Sequence, residues 1–215
     1  HVEMLRGGDH IWQNDLSAET MPWLAEHPVH GQAVAPAAAL IEMLVAAGGE
    51  ALGRPTESIA VTGLQIEQPL VLEGGLQVTT QLSGSEGQTR VEIHARAAGE
   101  AWSRHVVADI SPAPAERAVE APPAHSVLTL PDSVATHPAY RLHPALLDAG
   151  LRQLAAAISA EGTSYVPTAV AAVRVFATAG RQVGCHAEVT SHEDQVAVGR
   201  VVLSDEAGAV LAELT

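Results

Sequence analysis

Two short segments, more than a hundred residues apart, carry the residue types needed for paired proton transfer: His27-Pro-Val-His-Gly31-Gln-Ala-Val-Ala-Pro36 and His143-Pro144-Ala-Leu-Leu-Asp148. Neutral imidazole is a competent base near pH 7. A carboxyl group in an apolar setting has its charged form disfavoured, which equips it to hold and donate a proton. Removing a proton beside a carbonyl also requires stabilisation of the developing enolate. A backbone N–H at Gly31 and the positive end of a helix opened by Pro36 are the groups placed to supply it.

Asp148 has Ala145-Leu-Leu147 before it and Ala149-Gly-Leu151 after it, with no basic residue until Arg152, one helical turn on. Arg152 opposes the apolar effect by stabilising the carboxylate. The competing reading is a half-exposed aspartate paired with Arg152 on a surface stripe, although the stretch is very apolar for a surface. His27 and His30 alternatively read as a metal pair. Zinc sites need three or four ligands, and no third His, Asp or Glu stands at suitable spacing, so no metal is expected. Cys185 lies in an alternating run and reads as a small core residue. It is the single cysteine, which excludes an internal disulfide. No serine elbow and no glycine-rich phosphate loop are present.

The whole chain narrows the classes further. Of 215 residues, 47% are hydrophobic and 3% aromatic, so a core must be built mainly from Ala, Val and Leu. The basic residues are all arginine, scattered singly, and the formal charge is −14. Nucleic-acid binding requires clustered cations, and anionic membranes repel such a surface. No stretch approaches the roughly 20 apolar residues that span a bilayer. The first residues lack a signal-peptide layout, so a cytoplasmic location is expected.

These segments need elements to hold them. A short strand is predicted over 10–15, then a loop to Trp23-Leu-Ala-Glu-His27. Pro36 opens a helix over 36–47 that Gly48-Gly49 closes. That helix is apolar nearly all round except Glu42, so it should be wrapped by a sheet. Strands are predicted over 59–71, 76–82, 89–97 and 101–110, joined by hairpin-like turns. A proline-rich run over 111–123 reads as an extended linker. The pattern then recurs: a weak strand over 126–130, a helix from 145 to about 159 followed by Gly162, and strands over 168–177, 183–190, 195–203 and 209–214. Helix then antiparallel strands, twice, predicts an α+β double hot-dog, each long central helix wrapped by its sheet. Its units are residues 1–110, a linker 111–124, and 125–215.

With these residues in view, the chain resembles the dehydratase domains of modular type I polyketide synthases. Their His-x-x-x-Gly-x-x-x-x-Pro motif is complete as His27, Gly31 and Pro36, and His-Pro-Ala-Leu-Leu-Asp is present as His143 to Asp148. Trp23-Leu24 and Glu42-Met43 are also similar to the family. The resemblance implies a double hot-dog fold and removal of water from a 3-hydroxyacyl thioester carried on the phosphopantetheine of an acyl carrier protein. It implies His27 as the base at C2, Asp148 as the acid for the 3-hydroxyl, and Gly31 with Pro36 positioning the thioester. His143, Pro144, Arg152 and Gln153 then become supporting or substrate-contacting residues. The domain itself needs no cofactor. Its implied partners are the carrier protein, neighbouring synthase domains and a second copy through the first hot-dog. A carrier would dock on a local arginine patch, for which Arg54, Arg96 and Arg174 are candidates.

Two departures from the family pattern stand out. Arg152 occupies the position where the family has Gln or His, with Gln153 about 100° further round the helix. The family's Tyr-x-Tyr-Gly-Pro-x-Phe segment has no counterpart between Pro123 and Leu142, where Tyr140 stands alone. A pyran-forming cyclase, a double-bond isomerase and a non-catalytic module remain alternative readings; retention of Asp148 favours dehydration.

Overall fold

α1 spans Ala37–Leu52, with Pro36 immediately before it in an extended conformation. Its missing N–H costs nothing there, because the first amides of a helix have no intrahelical acceptor. Leu40, Ile41, Leu44 and Val45 are all buried, as the nearly uniform apolarity of the helix requires. The computed structural model describes residues 2–4, 9–17, 19, 21–26, 28–29, 31–85, 88–113, 120–132, 134, 140–158, 165–193 and 196–215.

α1 runs through Gly48-Gly49 rather than ending before them. A Cβ on Gly48 would lie 2.8 Å from Ile110 Cγ2 and 3.2 Å from Ile59 Cγ2, so glycine here lets the sheet approach the helix. The left-handed closing residue is Gly53, at φ 58°, whose N–H donates to the Glu50 carbonyl. Gly48→Ala gains roughly 1 kcal/mol of helix propensity but overpacks the helix–sheet contact by about 1–3 kcal/mol. Net destabilisation in urea denaturation is the expected result; a stabilised variant would show that the sheet yields.

The strands follow in chain order. β1 (Val2–Met4) and β2 (His10–Leu16) lead to a 3-10 turn over Pro22–Glu26, and then to a small hairpin of β3 (Pro28–Val29) and β4 (Gln32–Ala33). After α1 come β5 (Ile59–Ile66), β6 (Leu76–Ser85), β7 (Gln88–Arg96) and β8 (Ser103–Pro112). The second half has β9 (Ser126–Thr129), α2 (Pro144–Ile158), β10 (Ala169–Val175), β11 (Gln182–Glu193), β12 (Val196–Ser204) and β13 (Val210–Leu214). Leaving aside the β3–β4 hairpin, the strands form one antiparallel sheet in the order β1-β2-β6-β7-β8-β5-β10-β13-β12-β11-β9. Its first six strands belong to the α1 unit. The other five belong to α2, which packs on β11 and β12. This is the double hot-dog, with its two sheets fused where β5 pairs with β10, for example Val61 opposite Val173.

Two other departures from the boundaries read in the sequence have a clear physical cause. The strand predicted over 59–71 stops at Ile66 because the following amides turn to other acceptors. Glu67 N–H donates to the His105 carbonyl, and Leu72 N–H to Ala33. Ala35 N–H donates in turn to Leu70, so residues 70–72 hold the chain that enters α1. The expected linker begins later: β8 takes in Ser111 and Pro112, and Ala121 and His125 are already hydrogen-bonded to Gly208 and Cys185 of the second half. Residues 114–119 and Gly162 lie outside the described residues.

Candidate active site

The second motif opens α2. Pro144 takes the first helical position, where its fixed φ suits the helix. His143 acts as the cap: its Nδ1 accepts a hydrogen bond from the Ala145 N–H at 3.1 Å. Accepting at Nδ1 places the neutral ring's proton on Nε2. Burial, and secondarily the Arg181 guanidinium, push the His143 pKa below its ordinary value and favour that neutral form. Arg181 itself holds residues 130–134, donating to the carbonyls of Leu130, Pro131 and Val134.

Asp148 lies one turn into α2 and is only 5% exposed. Its Oδ2 meets Arg152 Nη2 at 2.8 Å, with the arginine side chain 53% exposed. Both sequence readings are therefore partly met: the pairing forms, but the carboxyl is buried rather than half exposed. Gln153 is exposed on the same helix. Beyond Leu151, α2 is much less covered than α1, with Arg152, Gln153, Ala156 and Ala157 all exposed.

For the first motif, His27 and His30 lie outside the described residues, and their flanks are described. Leu24 is 1% exposed and anchors the turn over Pro22–Glu26. Gly31, at φ 83°, forms the turn of the β3–β4 hairpin. Most other residues pay an energetic penalty for that left-handed conformation. Pro36 is buried, and no side chain caps the start of α1 behind it.

The turn that precedes the first motif meets the start of the second. The Trp23 ring lies edge-on to His143, with centroids 5.5 Å apart, and Tyr140 packs on His143 in the same manner at 5.0 Å. Trp23 stands four residues before His27, and His143 five before Asp148.

Glu42 enters the same region. Burial pushes its pKa up to about 7. Tyr140 is also pushed up, first by its own burial and then by the charge on Glu42. The signal in the sequence was a single carboxyl within the otherwise apolar run 36–47. Elsewhere, Cys185 is buried in the core. The three candidate docking arginines are separated. Arg54 follows α1, Arg96 bonds Gln77 and stacks on Trp102, and Arg174 lies on β10 over Phe176, with β8 and β5 between their strands. Among the described residues, no three metal-binding side chains cluster, and no helix is long and apolar enough to cross a membrane.

The buried Asp148 carboxyl thus lies one turn into α2 of a double hot-dog, with the Trp23 turn of the other half packed on the cap of that helix. Two family models match, "Polyketide synthase dehydratase domain" over residues 1–96 and "Polyketide synthase dehydratase N-terminal domain" over residues 117–215. The chain belongs to the dehydratase domains of modular type I polyketide synthases. It is 35% identical to one of the proteins that make up the phenolphthiocerol/phthiocerol polyketide synthase of Mycobacterium tuberculosis, covering 100% of this chain and 15% of that protein. That alignment runs over 270 positions against the 215 residues here, so the relative carries residues with no counterpart in this chain.

Solved structures share the fold. The dehydratase domain of a mycocerosic acid synthase-like synthase superposes with a TM-score of 0.84 at 21% identity, covering 100% of this chain and 92% of that one. A bifunctional dehydratase-cyclase domain from ambruticin biosynthesis gives 0.78 at 23% identity, covering 100% and 91%.

Proposed function

We propose that this domain removes water from a 3-hydroxyacyl thioester during polyketide assembly, leaving an α,β-unsaturated thioester. The contact between Trp23 and His143 supports this reading, because Trp23 stands four residues before His27 in the chain and His143 caps the helix that carries Asp148. His27 takes the proton from C2. The C2 electron pair forms the C2–C3 double bond as the C3–O bond breaks, and the departing oxygen takes a proton from Asp148. The Gly31 turn and the uncapped start of α1 position and polarise the thioester carbonyl.

Arg152 Nη2 lies 2.8 Å from Asp148 Oδ2. On this reading the half-exposed guanidinium swings aside as the 3-hydroxyl enters, freeing the carboxyl to face the substrate. Both proton transfers use side chains, so the chemistry calls for no cofactor bound by the domain. The substrate arrives on the phosphopantetheine of an acyl carrier protein, within a cytoplasmic synthase whose neighbouring domains supply and consume it. Pairing with a second copy through the first hot-dog belongs to the same reading.

The fold also hosts a dehydratase-cyclase, so the test must separate the two products. Incubation with a 3-hydroxyacyl thioester on a carrier, followed by mass and ultraviolet absorbance, does so. Loss of one water with a conjugated chromophore is the expected outcome. Loss of water followed by disappearance of the chromophore at constant mass marks a cyclase, and an inert protein marks a structural module.

A further inference from the structure

We infer that His143 is a positioning residue whose imidazole holds the start of α2, and with it Asp148, against the Pro22–Glu26 turn by capping α2 while packing against Trp23. This inference rests on the dehydratase reading above. Helix caps are usually short side chains, Ser, Thr, Asp or Asn, that finish their work at the backbone. A histidine cap does more, because its ring extends beyond the amide it accepts from. Here Nδ1 takes the Ala145 N–H, while the ring meets Trp23 from the other half of the molecule and Tyr140 from its own. Leu146 N–H donates to the His143 carbonyl, so main chain and side chain together fix the first turn.

The linkage is short on both sides. Pro144 is rigid in φ, and Asp148 follows one helical turn later. Trp23 is held in its turn by the buried Leu24 beside it, and Leu24 N–H donates to the Met21 carbonyl at 3.0 Å. A change in the His143 ring therefore moves Asp148 relative to the turn that holds Trp23. Misplacement of about 1 Å can lower a rate by 10²-fold without any loss of binding. Among the described residues, Arg181 beside the ring and Glu42 acting on Tyr140 are the charged groups facing this cluster.

The test is a double-mutant cycle on the intact chain, with a carrier-bound 3-hydroxyacyl thioester as substrate. His143→Asn keeps an acceptor for the Ala145 N–H and removes the ring, and Trp23→Leu removes the ring's partner. Each single change should lower kcat by about 10- to 100-fold with KM within about threefold and an unchanged Tm. The double variant should fall no more than about threefold further, because both changes break one link. Full kcat in His143→Asn, additive losses, or losses that track the unfolded fraction overturn the inference.

A second measurement needs no turnover. With Trp12 and Trp102 replaced by Phe, Trp23 is the remaining tryptophan, and its emission should fall on acidification as the neighbouring imidazole takes a proton. His143→Asn should abolish that titration, and an unchanged titration also overturns the inference. A wild type inert on substrate but with intact titration sinks the dehydratase reading, and the positioning role with it. An active wild type whose His143→Asn variant is unimpaired sinks the inference alone.

Discussion

Asp148→Asn lowers kcat for dehydration by about 10²- to 10⁴-fold, and His27→Ala does so to a similar extent, the range that a positioned acid or base contributes. Asn has nearly the shape of Asp, so it fits the buried site on α2 without a cavity, but it cannot carry the proton that the departing oxygen needs. Loss of the carboxylate leaves Arg152 without its 2.8 Å partner, and that guanidinium is more than half exposed and readily hydrated. Folding should therefore hold while turnover falls, with KM little changed. The double variant should be barely worse than the poorer single, since groups acting on one transition state are not additive. Steady-state kinetics beside a thermal melt separate these effects. Wild-type turnover in both single variants would remove the roles given to the two residues.

Glu42→Gln stabilises the protein in mildly alkaline buffer and leaves it unchanged in acid. Folded Glu42 keeps its proton up to about 7, whereas the ordinary carboxyl value is 4.5. Below the lower value both states are protonated and burial costs nothing. As pH rises, the unfolded chain releases the proton first, so the wild type loses stability until the folded carboxyl also ionises. The complete loss is on the order of 3 kcal/mol, the product of that shift and the energy of one pKa unit. Gln does not titrate. The gap between the variants in urea denaturation should therefore be near zero at pH 4 and widest above pH 7. A constant gap across that range would assign the pH dependence to another group.

Much of the architecture was legible because α1 and α2 advertise themselves. Pro36 and Pro144 mark the starts, and the unbroken apolarity of residues 37–47 calls for an enclosing sheet. The end of α1 was not legible. Gly48-Gly49 has the look of a stop signal, yet Gly48 serves the approach of Ile110 and Ile59, residues from distant strands. The end of β5 was hidden for a different reason: an apolar run resumes at Leu70-Val71-Leu72, while the hydrogen-bond partners change after Ile66. Fusion of the two sheets depends on the β5–β10 register, which no local pattern encodes.

At the site, the helical spacing of Asp148 and Arg152 made their pairing foreseeable, but the depth of the carboxyl depends on how the halves pack. Trp23 against His143 is a tertiary contact with no local signature. Glu42 had a signal, a carboxyl on an apolar helix, without a partner to interpret it until Tyr140 was placed beside it.

The joining of β5 to β10 has a mechanical consequence. A hydrogen-bonded seam, with Ala60 through Gln65 set against Arg174 through Ala169, makes the two units a single beam rather than a pair of jaws. Swinging them apart would tear a row of backbone bonds from the middle of the sheet. On the proposed function, a bulky acyl group would then be accommodated by local shifts of side chains and loops, including Arg152, and not by opening the molecule along its midline.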